Sequence, residues 1–218
     1  MATIVAVIVF LAAGEWQRGR LHDKEALAAQ WASAAAKPVV PLSRVNVAAG
    51  DTRFRVVTAT GRFDARHQIL LDNRVHAGRV GYHVITPLLL DDGRAVVVNR
   101  GFIAGTRTRS EAPSPMVPEG VVTVRGRINL PPRYFEIGDA KPTGALWQNL
   151  DLSRFTSISG ITVLPIVIEA LDGDGDGLVR DWPLPDAGSE RHRIYMAQWY
   201  LFAALAVVLW VWFRKRKT

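Results

Sequence analysis

Apolar residues are unevenly spread along this chain of 218 residues: two blocks stand at its ends, and short β-branched runs alternate with turn residues between them. The C-terminal block, Met196 to Phe213, is 18 residues without a formal charge. A helix of that length rises roughly 27 Å, close to the roughly 30 Å of a bilayer core. Tyr195, Trp199 and Tyr200 stand at one end and Trp210 and Trp212 at the other, as in the aromatic belts of membrane helices. Arg214, Lys215, Arg216 and Lys217 follow at once and hold the tail on the cytoplasmic side. The pattern predicts a transmembrane helix over 191–213 and a basic cytoplasmic tail over 214–218.

The N-terminal block, Ala2 to Ala13, has only 12 residues. It reads as a retained anchor over 1–17, as a shortened span, or as a signal peptide, although no basic residue precedes it. The retained anchor is the expectation. Two spans place 18–190 outside the cytoplasm, in the periplasm of a bacterial-type cell with an inner membrane. Arg18, Arg20 and Lys24 oppose that orientation, and the four-charge tail outweighs them.

Gly14 to Ser33 reads as a helix continuing the first block, ended by Lys37-Pro38 and Pro41. Strands are predicted at Phe54–Thr60, Gln68–Leu71, Tyr82–Leu90, Ala95–Asn99, Val121–Ile128 and Val163–Leu171. Asp91-Asp92-Gly93 marks a hairpin turn, Glu111 to Gly120 a loop with three prolines, and Asp151 or Ser153 the cap of a short helix. The expected fold is membrane-anchored all-β, an antiparallel barrel or sandwich between two transmembrane helices.

Composition narrows the chemistry. With no cysteine, disulfides, thiolate metal sites and a cysteine nucleophile are excluded. Four of the +7 net charges lie in the tail, so nucleic-acid binding loses its compositional support. Asp172-Gly173-Asp174-Gly175-Asp176-Gly177 has the first half of an EF-hand loop, but Pro183 stands where the closing glutamate belongs, and a solvated acidic loop is the better reading. No nucleophile elbow, zinc-protease motif or phosphate loop is present. Ser110, Ser114 and Asp72 offer a hydrolase no visible histidine support. Of five histidines, His76 reads as lying on a polar loop, and His192 stands out just before the final span, between Arg191 and Arg193. An imidazole there could reach a cofactor at the bilayer surface, with the arginines pairing to its acidic groups.

Four ordered motifs carry a resemblance. Trp16-Gln17 with Arg20, Lys24 and Leu27 comes first, then Gly81-Tyr82 through Pro87-Leu88. Val97-Val98-Asn99-Arg100-Gly101 follows, and His192-x-x-Tyr195 with Gln198-Trp199 closes the set. From Trp16 to Trp199 the chain resembles the surfeit-locus-1 family, assembly factors of haem–copper cytochrome oxidase. It departs from the family pattern at Phe102, where tryptophan is usual, and at Met196, where alanine is usual. The resemblance implies a non-enzymatic membrane protein that helps deliver or hold haem a for oxidase subunit I. It implies His192 as the haem ligand, with Tyr195, Gln198 and Trp199 beside it. The implied partners are subunit I, other assembly factors and haem a synthase. A scaffold that binds oxidase subunits without haem is the alternative.

Overall fold

The computed structural model describes residues 1–47, 52–105, 112–131, 144–173, 175–183 and 188–216. In chain order the helices and strands are α1 (Ala2–Ala35), β1 (Val40–Pro41), β2 (Val56–Phe63), β3 (Ile69–His76), β4 (Arg79–Leu90), β5 (Ala95–Ala104), β6 (Val122–Asn129), β7 (Leu146–Trp147), α2 (Leu152–Ser159), β8 (Val167–Ala170) and α3 (Ser189–Lys215). They fall into two units, Met1–Ala32 with Pro183–Thr218, and Ser33–Trp182.

In the first unit α1 and α3 pack side by side. The inward positions of α1 are Phe10, Gly14, Gln17, Leu21, Lys24 and Ala28; those of α3 are His192, Met196, Trp199, Ala203 and Ala206. Both series alternate steps of three and four, the repeat that keeps one face of a helix on its neighbour. Phe10 stacks on Trp199 at 5.9 Å and meets Phe202 at 5.8 Å. At Gly14 an added Cβ would lie 2.6 Å from the Tyr200 ring, so this position must lack a side chain for the ring to sit there.

Among the described residues the second unit is built on an eight-stranded sheet, ordered β1-β2-β6-β8-β5-β4-β3-β7, with β4 also pairing back to β2. Val96 and Val98 of β5 enter one core with Val57, Leu88, Ile128 and Ile168. Val97 enters another with Leu71, Ile85, Trp147 and Phe155. Both faces of β5 are therefore covered, which accounts for its unbroken apolar run where a half-exposed strand would alternate. Asp151 caps α2 by accepting from the amides of Ser153 and Arg154. Gly93, at φ 83°, turns β4 into β5.

The expected fold class is corrected on two points. The sheet is mixed: β1 lies parallel to β2, β7 to β3 and β8 to β5. Parallel neighbours need long crossovers, and each strand's own residues say nothing of its partner's direction. Secondly, among the described residues α3 alone is long and apolar enough to cross a membrane. In α1, Glu15, Gln17 and Arg18 enter before the apolar stretch reaches bilayer length.

The pairing of β4 with β5 slips once. Val84 faces Gly101 and Ile85 faces Asn99, which leaves Arg100 as the extra residue of a β-bulge. Gly101 has φ 142°, and a Cβ there would lie 2.8 Å from the Val179 carbonyl oxygen. Only glycine meets both conditions comfortably.

Candidate helix-pair site and the bulge motif

His192 and Trp199 turn toward α1, whereas Tyr195 and Gln198 are exposed. The His192 Nδ1–H donates to Gln17 Oε1 at 2.7 Å. An amide oxygen only accepts, so this bond puts the imidazole proton on Nδ1 and the lone pair on Nε2. That donor form suits a haem iron, and the residues present fit the ligand role expected of His192. Arg193 donates to Glu25 at 3.0 Å, and Arg191 is exposed. Tyr200 Oη–H donates to Glu15 at 2.7 Å, and Arg18 pairs with the same carboxylate at 2.5 Å. Arg20 lies 6.0 Å from the centre of the exposed Trp16 ring.

The two central motifs meet at the bulge. Arg100, 2% exposed, donates to Gln68 Oε1 at 3.1 Å and to the Met116 carbonyl at 2.8 Å. It stands 3.6 Å from the Asp176 carboxylate and over the Phe63 ring. Gln68 in turn accepts from Thr86 Oγ1 and donates to the Pro115 carbonyl, so the proline-rich segment is held by main-chain contacts. Burial lowers the guanidinium's pKa, Asp176 offsets it, and nearby Arg180 adds to the lowering. Asn99 donates to His83 Nδ1 at 3.3 Å and accepts from the Gly101 amide. The His83 ring lies between Phe102 and Trp182, and Trp182 Nε1–H donates to the Ala170 carbonyl.

Burial first, then the charges of Arg74 and His76, hold His83 down from 6.5 to about 4. Between those values the unfolded chain binds more protons than the folded one, so stability falls as pH drops through the window. Replacing His83 with glutamine should flatten the loss of stability between pH 7 and pH 5, read from urea midpoints. Equal losses in both proteins would contradict this account.

The acidic loop is tied down by arginines. Asp172 accepts from Arg125 at 3.1 Å, whereas Asp176 pairs with Arg180 and Arg100. These partners leave Asp172 and Asp176 committed to different cations; Asp174 lies outside the described residues. Asp72 is buried and accepts from the Asn73 amide, Ser114 is exposed, and Ser110 lies outside the described residues. His76 is not on a loop: it ends β3 with its ring 5.4 Å from that of Phe102, because the turn comes at Ala77-Gly78.

A model of the SURF1 family matches residues 4–204. The chain belongs to the SURF1 family. It is 25% identical over 242 residues to a SURF1-like protein of Monosiga brevicollis, covering 99% of this chain and 87% of the relative. It is 26% identical to Surfeit locus protein 1 of Xenopus tropicalis, covering 90% of this chain and 69% of the relative. Similarity to the cytochrome oxidase assembly protein SHY1 of Saccharomyces cerevisiae is 28% over 167 residues, 72% of this chain and 42% of the relative. The motifs that carry the SURF1 resemblance divide between two places in the molecule. Trp16-Gln17 and His192-x-x-Tyr195 meet in the helix pair, and the stretch from Gly81 to Leu88 meets Asn99-Arg100-Gly101 in the sheet through Val84 and Ile85.

The Gln17 partner of His192 went unread in sequence. Its signal was the step pattern through Gly14, Gln17 and Leu21, which places Gln17 on the packed face. Nothing local to Arg100 announces Asp176 or Met116 as its partners.

Proposed function

We propose that this chain is a non-enzymatic assembly factor of cytochrome oxidase that holds haem a as cargo for subunit I. Family membership and the similarity to SHY1, a cytochrome oxidase assembly protein, support the oxidase assembly part. The observation that carries the haem part is the Gln17-bound His192, whose Nε2 lone pair is directed away from its partnered nitrogen. Haem, when bound, would supply an iron that takes a nitrogen ligand. His192 Nε2 would hold it, with Trp199 on the same face of α3 and exposed Tyr195 and Gln198 on the outer side. Exposed Arg191 is placed to meet a propionate. A cargo holder needs a release path, and a site on a two-helix face leaves one open. Subunit I receives the haem, with haem a synthase and other assembly factors as the remaining partners. In a strain lacking this chain, subunit I should carry less haem a while finished oxidase from complemented cells works normally. Unchanged haem per subunit I would overturn the assembly role, and normal assembly by a haem-free protein would favour a scaffold.

The same reading places the sheet unit on the periplasmic side of an inner membrane. The basic tail after α3 supports it, because positive flanks stay on the cytoplasmic side. A reporter active only after export should be silent when fused behind Thr218, and activity there would reverse the orientation.

A further inference from the structure

The residues proposed to hold haem all lie on α3, yet the ring of His192 is bonded from α1. We infer that Gln17 is the positioning residue of His192: it selects the imidazole tautomer, aims Nε2 and sets its strength as a ligand. The inference rests on the haem reading for its consequence at iron, but not for the tautomer itself.

Three observations carry it. Gln17 is 8% exposed, so its amide is shielded and water is poorly placed to take over its bond to Nδ1. No other hydrogen bond to His192 occurs among the described residues, which leaves its proton placement to Gln17. The two helices are also locked in register around the pair. Tyr200 fills the space that Gly14 leaves empty and bonds Glu15 on the amide's N-terminal side. On its C-terminal side Arg193 bonds Glu25. Gln17 Oε1 is therefore a fixed acceptor, brought to His192 across 175 residues of sequence.

The chemistry follows from the acceptor. A neutral imidazole has one N–H and one lone pair, and the acceptor at Nδ1 decides which nitrogen keeps the lone pair. A stronger acceptor makes the opposite nitrogen a better donor to metal, which favours the oxidised iron and lowers its potential. Glutamate at 17 keeps the shape and strengthens the acceptor. Leucine keeps the bulk and removes it.

The test uses the purified full-length chain in detergent, with ¹⁵N-labelled histidine and no haem. His192 should be the Nδ1–H tautomer in the native protein and in Gln17→Glu, and should shift toward the Nε2–H form in Gln17→Leu. Loaded with haem a, Gln17→Glu should have a lower midpoint potential than the native protein and Gln17→Leu a higher one. Haem affinity in Gln17→Leu should fall roughly tenfold. An Nε2–H His192 in the native protein, or one potential shared by all three, would overturn the inference. A native protein that takes up no haem would instead sink the haem reading, and the tautomer measurement would still decide the role of Gln17. Gln17→Glu, as the near-isosteric change, keeps the test valid if Gln17→Leu disturbs the helix pair.

Discussion

Replacing His192 with alanine is expected to abolish the haem a absorbance of the purified protein while leaving its membrane level nearly unchanged. The ring is half-buried and makes one hydrogen bond, to Gln17, so its removal costs the helix pair little. The aromatic contacts of Phe10, Trp199 and Phe202 lie further along the pair and hold it together. His76→Ala, in the sheet unit, should keep the pigment. The comparison is made by absorbance per mole of protein, with membrane content from immunoblots. Full haem with an unshifted spectrum in His192→Ala would place the ligand elsewhere.

Arg100→Ala is expected to destabilise the sheet unit by about 3 kcal/mol, the scale of losing two charge-assisted hydrogen bonds from a buried guanidinium. The side chain serves Gln68, the Met116 carbonyl and Asp176 together; alanine takes this donor from the Met116 carbonyl and leaves Gln68 Oε1 to Thr86 and Asp176 to Arg180. Arg100→Lys should recover only part of the loss, because an ammonium cannot reproduce the fork of a guanidinium. Removing Asp176 as well should cost less than the sum of the two single changes, since the partners share one interaction. Urea unfolding of the native protein and these four variants would measure this. A loss below about 0.5 kcal/mol for Arg100→Ala, the scale of surface changes, would mean that the contacts are slack.

Much of the secondary structure was legible because it is local. The β-branched runs gave six strands near their observed places, and Asp151 and Gly93 marked a helix start and a turn. Two features were not legible for physical reasons. The direction of β8 against β5 depends on how the chain crosses over between them, and the residues of Val167–Ala170 carry no mark of direction. The two-residue strands Val40–Pro41 and Leu146–Trp147 are too short to carry a period. At the site, position alone singled out His192. The step pattern marks Gln17 as lying on the packed face but not what it meets, because it approaches His192 only once the two ends of the chain are packed together. Asn99 and Arg100 stood in the sequence only as members of the Val97-to-Gly101 motif. In the structure they hold His83 and the proline-rich segment from inside the sheet.

The bulge at Arg100 also makes this stretch sensitive to length. Strand side chains alternate, so the extra residue is what lets Asn99 and Phe102 both reach His83 while Arg100 points toward Gln68 and Asp176. Deleting Arg100 would restore a regular ladder in which Gly101 and Phe102 keep Val84 and His83 as partners, while the side chain that reaches Gln68 and Asp176 is lost. Deleting a residue from a regular strand would instead turn everything beyond it to the opposite side. The cost of a deletion at the bulge is therefore the loss of those contacts and not a reversal of the strand's faces.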